Sequence, residues 1–200
     1  PAGVPLLARW QTELDVLAPD IVVVATPPGT ALVAARAAAR GGAAGLGEKS
    51  AIPDAADLTP APEDRRIFVA FQPHFAPGLA DLLDQAPTIH RAEVTLVCRR
   101  DRAYYRTWRT RYATAGGVLH QQAIHGLALA LRLLPSAPIT SCTAEVHRMR
   151  RWAESEDRIT ATVAFADGAL LTVDARVDSV DQPRRHEVAL HLGDGQHVHV

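Results

Sequence analysis

The stretch GGVLHQQAIHGLALALRLL (residues 116–134) puts two histidines and two amides into the first turns of an otherwise apolar helix. The imidazole of His125 is suited to exchanging a proton near neutral pH. Gln121 lies four residues earlier, one helical turn away, and is expected on the same face, where its amide can hydrogen-bond a ligand. His120 and Gln122 are secondary candidates, expected by helix geometry to point elsewhere. Lys49 is the only lysine in a chain with twenty arginines, which asks why that one position is not also Arg. Tyr104, Tyr105, Trp108 and Arg109 precede the glycine pair. Aromatic platforms beside a guanidinium suit a polyol or a carboxylated sugar. Arg99, Arg100 and Arg102 read as a solvated strand end. His186, His191, His197 and His199 match no zinc-ligand spacing, so no metal site is expected.

The chain of 200 residues carries 48% hydrophobic and 22% charged residues and a formal net charge of −1. That composition is ordinary for a globular protein, and the charge argues against a nucleic-acid partner, which would require a basic face. Cys98 and Cys142 each sit in a β-like apolar stretch and are expected as buried free thiols, since two cysteines make no stapled scaffold. No apolar run approaches a membrane span and no signal peptide opens the chain, so a cytoplasmic location is the default expectation.

These side chains need elements to hold them. Leu6–Leu17 has the spacing of a short amphipathic helix. Ile21–Ala25 (IVVVA) reads as a strand buried on both faces of a parallel sheet. Thr26–Thr30 (TPPGT) is a tight loop, and an alanine-rich helix over Ala31–Arg40 stops at Gly41-Gly42. Gly42–Lys49 holds a short strand, Ala51–Asp64 a loop, Ile67–Phe71 a further strand and Pro77–Leu83 a short helix. From Ile89 the texture changes to strands of period two at Ala92–Cys98, Ile139–His147, Ile159–Phe165, Ala169–Val177 and Glu187–Leu192. Asp167-Gly168 is the turn of a hairpin. The expected fold is α/β followed by α+β: a partial, doubly wound Rossmann-like parallel sheet over residues 1–88, then residues 89–200 as a domain with an open antiparallel sheet packed on a long helix.

The ordered series IVVVATPPGT, GEKS, VAFQPHF and WRTRYATAGGVLHQQAIHGLALALRLL resembles the Gfo/Idh/MocA family of NAD(P)-dependent oxidoreductases. The resemblance implies an N-terminal Rossmann domain, a C-terminal α+β domain with a large open sheet, and hydride transfer between a nicotinamide and a secondary alcohol. It assigns Lys49 to orienting the reacting oxygen and His125 to proton transfer, so the two are expected to serve one substrate. Gln121, Arg109, Tyr105 and Trp108 are expected to position substrate. Thr26, Pro27, Pro28, Glu48 and Lys49 are expected near the cofactor, NAD or NADP. Residues implied by the family are not all kept: Ala31 stands where His is frequent, Ser50 follows Glu-Lys instead of Pro, and Ala123, Ala128, Gln72 and His74 also depart. Gln121 stands where many members have Asp, and an amide there resembles the branch acting on nucleotide sugars and sugar acids.

No G-x-G-x-x-G occurs, so the phosphate cradle is missing from these residues, and the chain is expected to start after roughly two β-α units, about 60 residues. The leading expectation is a dehydrogenase or reductase of a sugar, nucleotide sugar or cyclitol, homo-oligomeric through the antiparallel sheet. The alternative is a cofactor-free descendant: a binding or assembly partner, or a non-redox acid/base enzyme.

Overall fold

The computed structural model describes residues 9–52, 54, 56, 58–105, 107–179 and 183–200. It divides into two compact units, residues 1–70 and 71–200. The helix expected from Leu6 falls partly outside the described residues.

In the first unit, α1 (Trp10–Leu17) is followed by β1 (Ile21–Val24), α2 (Pro28–Arg40), β2 (Ala44–Gly47) and β3 (Ile67–Val69). The three strands form a parallel sheet in the order β1-β2-β3. Pro28 opens α2 where its missing N–H costs nothing. Ala31, Ala34, Ala35 and Ala38 make a buried stripe that lets the helix lie close on the sheet. Its end is a Schellman turn: Ala43 N–H reaches the Ala38 carbonyl at 3.1 Å, Gly42 N–H reaches Ala39 at 3.1 Å, and Gly42 takes φ +96°. A one-turn 3₁₀ segment, Pro62–Arg66, is tied to α2 by two bonds from Arg36 to the Asp64 carboxylate, each 2.8 Å.

The IVVV strand is not buried on both faces. Val24 is buried and Val22 packs beside it, but Ile21 and Val23 are 65% and 68% exposed. Among the described residues only the α2 side of the sheet is covered, so a continuous β-branched run did not by itself mean two covering layers. α1 likewise buries none of its residues.

The second unit holds α3 (Leu79–Gln85), β4 (Ile89–Val97), α4 (Ile124–Leu133), β5 (Ile139–His147), β6 (Arg158–Phe165), β7 (Leu170–Arg176), β8 (Arg185–Leu192) and β9 (His197–His199). The six strands run in the order β5-β6-β7-β4-β8-β9. Every neighbouring pair is antiparallel except β4 and β7, which are parallel because the chain leaves β4 through α4 and two further strands before returning. The sheet is therefore mixed. Gly168, at φ +87°, makes the expected turn between β6 and β7.

Alternation divides the two faces of this sheet. Val94, Leu96, Leu171, Val173, Val188 and Leu190 face the core with Leu129, Ala130 and Leu133 of α4. At Gly126 a Cβ would lie 2.8 Å from Val94 Cγ1, so glycine is what lets α4 settle onto β4. The opposite face presents Glu93, Thr95, Thr143, Glu145, Thr160, Thr162, Thr172 and Asp174 around a broad shallow hollow. Both cysteines are free, but Cys142 is exposed and only Cys98 is buried, since β5 is an uncovered edge strand.

Candidate functional site

The glycine pair has a steric reason. At Gly116 a Cβ would stand 2.5 Å from the Arg109 carbonyl oxygen; at Gly117, with φ +102°, it would stand 2.1 Å from Glu156 Oε2. Glu156 is buried and its Oε1 accepts the Leu119 N–H at 3.0 Å. The carboxylate thus answers one of the open donors at the start of the histidine-bearing helix. Burial pushes the Glu156 carboxyl above its ordinary value, while the Leu119 N–H opposes that rise.

That helix does not begin as a regular α-helix. Leu119–Ala123 forms a single π turn, with the Ile124 N–H bonding the Leu119 carbonyl, before α4 continues. Such a turn inserts one residue into the helical phase. As a result Gln121 turns inward: it is 3% exposed and its Nε2 donates to the Ala115 carbonyl. Gln122, expected to point away, shares a cavity with His125 instead.

The cavity, of about 230 Å³, is lined by Gln72, Pro73, Leu96, Cys98, Gln122, His125, Arg184 and His186. The His125 ring meets Phe71 edge-on at 6.0 Å and His186 at 6.3 Å. His186 arrives from β8, on the face that packs toward α4 and not on an outward one. Gln122 is fixed at both ends of its amide. Its Oε1 accepts from Arg100 Nη2 at 2.8 Å, and its Nε2 donates to the Tyr104 hydroxyl at 2.7 Å. The Arg100 guanidinium lies 4.9 Å from the Tyr104 ring centroid. Arg109 lies 4.7 Å from the same ring and 4.6 Å from Trp108. Arg100 is therefore part of the wall behind the cavity and not merely a solvated strand end.

Tyr105 is placed differently from its neighbours. It is 1% exposed, lies under the Arg150 guanidinium, and burial pushes its phenol up. It supports the core and does not line the cavity. His74 stacks on Phe71 at 5.5 Å; burial, then the Arg132 charge, pushes it below its usual value.

The remaining expected residues lie in the first unit. The Glu48 N–H bonds the Val24 carbonyl at 2.9 Å, which sets Glu48 and Lys49 at the carboxyl end of β2, beside the end of β1. Thr26 and Pro27 are exposed in the loop leaving β1. The Lys49–Ser50 peptide is cis. Loops at the carboxyl ends of parallel strands are where open α/β sheets bind ligands. Among the described residues no three His, Cys, Asp or Glu side chains form a metal-binding group, and no helix is long and apolar enough to cross a membrane.

Sequence comparison matches residues 88–194 to the GFO/IDH/MocA C-terminal domain. The chain belongs to the GFO/IDH/MocA family. Its fold recurs in the WlbA dehydrogenase from Bordetella pertussis, solved with NADH and UDP-GlcNAcA (21% identity, 90% of this chain and 60% of that chain, TM-score 0.72). It recurs in a levoglucosan dehydrogenase solved with NADH and levoglucosan (19% identity, 92% and 55%, TM-score 0.76). A third case is the UDP-N-acetylglucosamine 3-dehydrogenase GnnA from Acidithiobacillus ferrooxidans (17% identity, 88% and 57%, TM-score 0.69). The chain thus spans between 55% and 60% of the length of these structures. Comparison with curated protein sequences gives no match.

Sequence reasoning gave no site role to His186, Arg100, Arg184 or Cys98, and it ranked Gln122 only as a secondary candidate. Gln122 was hidden by the π turn. His186 was legible only as one of four C-terminal histidines, although it shares the phase of Val188 and Leu190 in the alternation of β8, which sets it apart from His191.

Proposed function

We propose that this protein is a nicotinamide-dependent oxidoreductase acting at a secondary alcohol or ketone of a sugar, nucleotide sugar or cyclitol. The observation that carries the reading is His125, opening from the first turn of α4 into a polar cavity in a chain of this family. The fold neighbours, solved with nicotinamide cofactors and sugars, support it.

The first unit fits part of such a cofactor. Thr26, Pro27 and Lys49 stand at the carboxyl ends of β1 and β2, where they would lie against it, with Pro28 and Glu48 behind them. Pro27 and Pro28 lack N–H donors, and no Gly-rich stretch is present, so these residues do not supply a phosphate cradle. A bound nicotinamide supplies the hydride acceptor or donor. For the protein's own part, His125 takes the hydroxyl proton in the oxidative direction and returns it in the reductive one. The Lys49 ammonium holds the reacting oxygen and steadies its developing charge. Gln122 and Arg109, with Trp108 beneath it, position the sugar. Gln121 acts one step back by fixing the turn that aims His125. Homo-oligomerisation through the open threonine-rich face of the mixed sheet belongs to the same reading.

The test is fluorescence titration with NADH and NADPH, followed by turnover on a sugar panel. Binding of either cofactor is expected, and His125→Asn and Lys49→Met are each expected to lower kcat by about 10²–10⁴-fold. Absence of cofactor binding would favour the non-redox descendant.

A further inference from the structure

We infer that Glu156 is the positioning residue that sets the register of the histidine-bearing helix and so keeps Gln122 in the cavity beside His125. Glu156 does not itself line that cavity. The inference rests on reading the cavity as the substrate site and adds what fixes its shape.

Glu156 grips the start of the helix twice. Its main-chain carbonyl accepts the Val118 N–H at 3.2 Å, and its Oε1 accepts the Leu119 N–H at 3.0 Å. The chain on either side of Glu156 is itself tied down. The Ser155 N–H bonds the Thr110 carbonyl at 3.0 Å, the Asp157 N–H bonds the His147 carbonyl at 2.9 Å, and the Asp157 carbonyl accepts the Val177 N–H at 3.0 Å. The Asp157 carboxylate accepts the Met149 and Arg150 N–H groups at 2.8 and 2.9 Å. Ser155, Glu156 and Asp157 are all buried, so the grip comes from a fixed point of the second unit.

A different contact holds the helix further on, where Gly126 rests on Val94 of β4 without room for a Cβ. Between these two anchors lies the π turn Leu119–Ala123, which takes up one residue more than a regular helix would. Regular α geometry is otherwise preferred, so the surplus residue stays in place only while both ends are held. With it in place, the Gln121 amide reaches back to the Ala115 carbonyl, and the Gln122 amide spans Arg100 and Tyr104. A carboxyl in this buried position costs more than an apolar side chain of the same size. Fixing a register is the best-attested return for such a cost.

The test is heteronuclear NMR of the protein without ligand. In the unaltered chain the Leu119 N–H should exchange with solvent about as slowly as the amides of β6, although amides in the first turn of a helix ordinarily exchange fast. Glu156→Leu fills similar space but offers no acceptor. It should speed Leu119 exchange at least about tenfold relative to β6 and erase the cross-peak between the Gln122 side-chain amide and the Tyr104 ring. Glu156→Gln keeps an acceptor oxygen and should keep both the slow exchange and the cross-peak. Leu171→Ala loosens the sheet without touching the helix start; it should keep the cross-peak, which separates positioning from a general loss of stability. Should Glu156→Leu not fold, Glu156→Asp, which withdraws the acceptor by one methylene, takes its place with the same losses expected. A Leu119 N–H that exchanges fast in the unaltered chain would overturn the inference. So would a cross-peak that survives loss of the acceptor, vanishes in Glu156→Gln or vanishes equally in Leu171→Ala. Failure to bind NADH would sink the redox reading alone and leave the register result standing.

Discussion

Among the described residues each of the two sheets has one uncovered face, and the two faces differ in chemistry. In the three-stranded sheet the open face carries Ile21, Val23, Leu46 and Phe68, all exposed, with Val23, Leu46 and Phe68 in register across the strands. In the six-stranded sheet the open face is threonine and ion pairs: Arg91 with Glu93 at 2.8 Å, Arg176 with Asp174 at 2.6 Å, Arg185 with Glu187 at 2.6 Å. Period two is the same in both. What differs is whether the outward residues are ones that water accepts. Apolar outward residues report a strand's environment poorly, because their burial is set by what lies over the sheet and not by the strand itself.

The sharpest way to test this contrast is by truncation. Leu171→Ala, at a position with no exposure in the six-stranded sheet, is expected to cost about 2–5 kcal/mol. Val23→Thr, a β-branched exchange on the bare apolar face, should change stability by less than about 0.5 kcal/mol. Denaturant unfolding followed separately for each unit distinguishes them; a comparable loss at Val23 would mean that this face is buried in solution. An effect between these two is expected at the glycine turn. Gly117→Ala combines positive φ with a clash against Glu156 and should cost about 1–3 kcal/mol, read as a lowered melting temperature.

The smallest effect has opposite signs in the two units. Asp64 in the first unit is held down to about 2, chiefly by the Arg36 hydrogen bonds. It therefore adds stability above its unfolded value, near 4, that is lost as pH falls toward 2. Glu156 in the second unit is pushed up by burial. Its folded state prefers the proton, so the second unit gains stability as pH falls through the window just above the ordinary glutamate value. Unit-resolved melting across pH 2 to 6 should show the two slopes, roughly opposite in direction. Asp64→Asn and Glu156→Gln should each flatten only its own.

Local chemistry made much of the molecule legible in advance. The proline before α2, Gly42 at its end, Asp167-Gly168 and the period-two strands act within a few residues of chain, where sterics and alternation decide. The family assignment was carried by the same local segments. The cavity wall was not legible in this way. Arg100 looked like a surface charge because its partners Gln122 and Tyr104 come from other elements. Tyr105 looked like a neighbour of Trp108 and Arg109, yet one residue of phase sends it into the core.

The amino-acid order alone determined the helices, the strands, their turns and the need for glycine where the backbone crowds itself. Only the tertiary structure decided that β4 pairs parallel with β7, that one π turn exchanges Gln121 for Gln122 beside His125, and that His186 and Arg100 join them. Each of these depends on a register or a helical phase. A shift of a single residue redirects every side chain that follows, and only contacts distant in sequence fix where that shift falls.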